Sequence, residues 1–82
     1  MTDAEIKKLA KANAHIPTEE IKYDIANTQE EIRRMTIEMD AFEAIGDKMS
    51  VFRATARRNG IKERQDFIKK LNMILSYREK HL

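Results

Sequence analysis

Cysteine and tryptophan are absent from the 82 residues, proline occurs once, glycine twice, and aromatic side chains make up only 6%. Without cysteine there is no disulfide, no thiolate nucleophile and no Cys-bound zinc or iron–sulfur site, which suits a reducing compartment. One proline and two glycines leave few places for a helix to stop, so long helices are expected. No apolar run approaches the ~20 residues of a membrane span. The opening Met1-Thr2-Asp3-Ala4-Glu5 is acidic, unlike a signal peptide, and the expected location is the cytoplasm. The chain also lacks a glycine-rich phosphate loop and any nucleophile beside a plausible base. His15 has no second ligand at helical spacing, His81 lies at the chain's end, and the pairs Glu30/Glu31 and Asp40/Glu43 are ordinary on a solvated helix face. The expectation is therefore no enzyme, no metal and no cofactor.

What the sequence does contain is 41% hydrophobic and 37% charged residues, enough for one folded domain over 1–82. A chain this short buries only about 60% of its unfolded surface, so a lone core is marginal and self-association would help. The fold class expected is all-α, a helical hairpin or small bundle around one long coiled-coil-like central helix. A short N-terminal helix is expected over about 2–13, where Thr2 and Glu5 have capping-box spacing and Ile6, Leu9 and Ala10 form a narrow apolar stripe. Pro17 then opens the second helix, with Thr18 as the expected cap and Glu19 and Glu20 against the positive end of the macrodipole.

From there Ile21, Ile25, Thr28, Ile32, Met35, Met39, Phe42 and Gly46 recur at alternating steps of four and three, the seam of a coiled-coil helix over about 18–45. Gly46 suits a left-handed C-cap and Asp47 the next N-cap. Beyond it the expected elements are a helix over 48–59, with Met49, Phe52 and Ala56 as its packed stripe, and a helix over 62–80 packed through Phe67, Ile68, Leu71, Ile74 and Leu75. Asn59-Gly60 is read as the stop between them; the alternative is one long helix carrying Gly60, at about 1 kcal/mol relative to Ala.

Charge is divided unevenly along the chain. Residues 1–45 hold six Lys and Arg against ten Asp and Glu, and residues 46–82 hold ten against four. The first consequence is electrostatic matching between antiparallel helices. The functional alternative is that Arg53, Arg57, Arg58, Lys62, Arg64, Lys69 and Lys70 form a patch for nucleic acid or an acidic protein. Tyr23 and Ile37 fall opposite the seam, where a two-helix hairpin gives them no partner. Either the first helix covers them or a second copy does, and a dimer or higher assembly is expected through that face or through the seam residues Ile21, Ile25, Ile32, Met35, Met39 and Phe42.

Two resemblances accompany these patterns. Ala56, Gly60 and Ile61, followed by Lys62, Arg64 and Gln65, resemble the helix-turn-helix of transcriptional regulators over roughly twenty residues. Asp66 departs from that pattern, standing where the family buries Ile or Val. The all-helical format, with His15-Ile-Pro-Thr-Glu-Glu-Ile21 and Gly46-Asp-Lys-Met-Ser-Val-Phe-Arg53, resembles the small accessory proteins that bacteriophages and prophages encode. That resemblance implies a protein of the host cytoplasm that binds and blocks a host defence or regulatory complex, with no chemistry of its own.

Overall fold

Two of the three helices start where a side chain supplies a partner for their unsatisfied N–H groups. The computed structural model describes residues 1–81 and contains three helices: α1 over Asp3–Ala12, α2 over Thr18–Ile45 and α3 over Lys48–Lys80. At α1 the capping box is complete, with the Glu5 amide donating to the Thr2 hydroxyl and the Thr2 amide donating to the Glu5 carboxylate. Asp47 caps α3, accepting from the Ser50 amide at 2.7 Å. For α2 the cap differs from expectation: Pro17 occupies the N-cap without a side-chain hydrogen bond, and Thr18 is the first helical residue. Gly46 takes φ 74, the left-handed turn that glycine adopts without strain, and its N–H closes α2 on the Phe42 carbonyl.

The two caps set a pH dependence. The Asp47 carboxyl is held below its usual range by the Ser50 amide, and that of Glu5 by the Thr2 hydroxyl and amide. A carboxyl whose folded pKa is depressed stabilises the fold above its unfolded value, about 4. That contribution disappears as pH falls through the lower folded value. Urea midpoints should therefore decline as pH drops below about 4, and Asp47→Asn should flatten the decline. An equal decline in the variant would remove the cap from this account.

The helix expected to stop at Gly60 does not stop. α3 runs unbroken from Lys48 to Lys80, so the separate helices over 48–59 and 62–80 are one element and the helix-turn-helix pattern has no turn. Gly60 serves contact instead: a Cβ built there would lie 2.5 Å from the Met35 Cε, so the glycine leaves room for the Met35 side chain of α2. Because that methyl ends a flexible, unbranched chain, it can move at small cost. Gly60→Ala should leave stability unchanged or raise it by up to about 1 kcal/mol from helix propensity. A loss larger than that in urea denaturation would mean Met35 is pinned.

α2 and α3 pack antiparallel in constant register. Arg64 meets Glu31 and, one heptad along, Arg57 meets Glu38. The α2 seam expected from sequence faces α3: Ile21 and Thr28 are buried, and Ile25, Ile32, Met35, Met39 and Phe42 are half-buried. α3 answers with a seam of its own, Ser50, Ala54, Arg57, Ile61, Arg64, Ile68, Leu71, Leu75 and Arg78, again at alternating steps of four and three and all at least half-buried. α1 packs on α3 rather than α2. The core gathers at the open end of the hairpin, where Ile21 (1% exposed), Leu71 and Ile74 (2%) are backed by Leu9, Ile16, Ile25 and Leu75. Toward the turn, the buried α3 side chains are only Ser50 and Ala54. The radius of gyration is 16.3 Å, against about 12 Å for a compact chain of this length.

Candidate interaction surfaces

The basic residues proposed as a patch divide into two groups. Arg57 pairs with Glu38 at 3.0 Å, Arg64 with Glu31 at 2.7 Å, and Arg58 with Glu43, all across the α2–α3 interface. Arg64 also donates to the Gly60 carbonyl. The guanidinium groups of Arg53 and Arg57 lie 5.9 and 5.7 Å from the centre of the Phe42 ring, a cation–π arrangement. Lys62, Lys69 and Lys70 are exposed and make no ion pair within 4 Å among the described residues. Thus three of the ten acidic residues of 1–45 meet three of the ten basic residues of 46–82 within the chain.

Their strength is modest. These pairs are one-third or more exposed, and such pairs contribute about 0–1 kcal/mol each. Their stronger effect is to fix register, since a shift of one residue would break all three together. On the outer face of α2, Glu30 and Arg33 form a local pair; Arg33 holds the Glu30 carboxyl below its usual range.

Arg78 carries a role that the sequence patterns do not predict. In the structure it donates to the Thr18 hydroxyl (3.0 Å) and to the carbonyls of Asn13 (3.0 Å) and Ile16 (2.6 Å). It thereby ties the last turns of α3 to the segment joining α1 and α2. A planar fork of donors can reach three oxygens at once, and a lysine could not reproduce that geometry. The signal available in sequence was its heptad step from Leu71 and Leu75.

The apolar residues tell a second story. Met49, Phe52 and Ala56, expected as a packed stripe, all face outward, with Phe52 70% and Met49 58% exposed, and Phe67 is also exposed. Ile45, the last residue of α2, is 63% exposed. Tyr23 and Ile37 are exposed as well, and α1 leaves both uncovered. The seam that was a candidate for oligomerisation is occupied by α3, so only the outward faces remain for another molecule. A groove of about 610 Å³ also opens between α1 and the end of α3, lined by Ile6, Lys7, Met73, Tyr77, Lys80 and His81 among others. Among the described residues no group of three His, Asp or Glu side chains could hold a metal, and no helix is long and apolar enough to cross a membrane.

The chain matches no protein-family model, no curated protein and no solved structure at a significant level. The class the architecture defines is a three-helix protein built on an antiparallel coiled-coil hairpin.

Proposed function

We propose that the chain is a non-enzymatic protein-interaction module that docks through the apolar side chains around the α2–α3 turn. The observation that carries this reading is local: Ile45, Met49, Val51 and Phe52 are all exposed within two helical turns of Gly46, while the buried side chains of α3 there are Ser50 and Ala54. On α3, large apolar residues outside and small ones inside invert the usual arrangement of a hairpin that functions alone. Aromatic and methionine side chains are also those enriched at the centres of protein interfaces. The alternative is nucleic-acid binding by the basic arm, and it is supported by fewer cations than the sequence suggested. Arg57, Arg58 and Arg64 are paired with glutamates, which leaves Arg53, Lys62, Lys69 and Lys70.

Photo-crosslinking tests the reading. A benzophenone amino acid placed at Phe52, and for comparison at the exposed Asp66 of α3, is irradiated in the cells that make the protein. Discrete protein adducts from position 52 alone are expected. Equal labelling from both positions would overturn the proposal, and nuclease-sensitive adducts would transfer the function to nucleic-acid binding.

A further inference from the structure

We infer that the surface around the α2–α3 turn is covered by the same surface of a second copy, so that two chains pair about a two-fold axis. The inference rests on the interaction reading above and names its partner. Area is the first argument. The chain exposes 6176 Å² at 9.6 kDa, whereas the scaling of folded monomers gives about 5,100 Å² at that mass. The surplus, roughly 1,000 Å², is close to the ~800 Å² each partner contributes to a standard interface.

The missing third layer is the second argument. At the open end α1 adds a third element over Ile21 and Ile74. Near the turn the hairpin has two helices only, and both carry outward apolar residues there: Ile45 at the end of α2, Met49 and Phe52 at the start of α3. A two-fold pairing of this half with itself supplies the layer that α1 does not reach.

Charge is the third. An interface between identical surfaces must be self-complementary. Outside the intrachain pairs and the hydrogen-bonded Arg78, α2 keeps Glu20, Asp24 and Asp40 against Arg34, and α3 keeps Lys48, Arg53, Lys62, Lys69, Lys70 and Lys80 against Glu63, Asp66 and Glu79. The two helices of one chain thus keep opposite net residual charge; toward the turn it is Asp40 on α2 and Lys48 and Arg53 on α3, and crossing α2 of one copy on α3 of the other matches these twice.

Light scattering after size exclusion, run from low to high micromolar chain, tests this directly. A species of twice the chain mass is expected at high concentration. The double variant Met49→Glu, Phe52→Glu should weaken the pairing by at least about 30-fold, the loss given by one central hot-spot residue, with circular dichroism unchanged because both side chains are exposed. A monomer at every concentration, or a dimer indifferent to the double variant, would overturn the inference. A monomer whose position 52 still crosslinks to a different protein would refute the pairing and leave the interaction reading standing; a monomer without adducts would remove both.

Discussion

Ile74→Ala should destabilise the fold by about 3–4 kcal/mol, the cost of removing a fully buried branched side chain and leaving the space unfilled. Ile74 is 2% exposed and packs with Ile21 and Leu71, so its loss opens the one cluster to which all three helices contribute. A domain of this length has a total stability of about 4–12 kcal/mol. A single truncation here therefore consumes a large share, and the variant should be partly unfolded near 37 °C. Ile21→Ala should behave alike, because Ile21 is 1% exposed in the same cluster. The contrast is Tyr23→Ala, two residues along the same helix: its side chain is exposed, and the change should stay within about 0.5 kcal/mol. Urea denaturation of the three variants checks the ordering. Similar losses for Ile74 and Tyr23 would place the core elsewhere.

Arg78→Met is the second large effect, at about 2–3 kcal/mol, and it acts on different physics. Methionine keeps the length of the apolar stem, so what disappears is the guanidinium and its three hydrogen bonds to Thr18, Asn13 and Ile16. The Asn13 carbonyl keeps the Ile16 amide as a donor, but the Ile16 carbonyl loses its charged donor in a half-buried setting, where an unsatisfied group costs more than an average hydrogen bond contributes. The same guanidinium lies close beyond the C-terminus of α1, where positive charge is favoured by the macrodipole. Its removal should loosen α1 in particular. Trypsin should cleave after Lys7, Lys8 or Lys11 faster in the variant than in the parent, while the α2–α3 hairpin keeps its helicity. Arg78→Lys should recover less than half of the loss. Unchanged proteolysis would show that apolar contacts alone hold α1.

Much of this architecture is legible in the sequence. The α2 seam, the capping box at Thr2 and Glu5, the turn at Gly46 and Asp47, and the bounds 18–45 all follow from spacing and cap chemistry, which act over a few residues. The α3 seam was less visible because arginines occupy two of its central positions. Arg57 and Arg64 read as surface patch until a second helix supplies Glu38 and Glu31 to receive them. For the same reason Met49, Phe52 and Ala56 were assigned inward: hydrophobicity selected the wrong face once Ser50 and Ala54 took the true one. Asn59-Gly60 is a turn signal locally, but continuous pairing with α2 on both sides outweighs the propensity cost of one glycine. None of these corrections could come from α3 alone, since each depends on which partner helix is opposite.

The placement of the core at the open end also governs how the chain must fold. The turn at Gly46 brings neighbouring residues together early and cheaply, yet the first layers it closes offer only Ser50, Ala54 and Phe42. The rewarding contacts, Ile21 with Leu71 and Ile74, join segments far apart in sequence, so loop-closure entropy is spent before most burial is gained. Zipping from the turn thus gains only the half-buried Met39, Met35 and Ile61 before it reaches the far end, where most of the burial lies. A helical chain that would otherwise fold in gradual, local steps acquires a single late barrier and behaves as one cooperative unit.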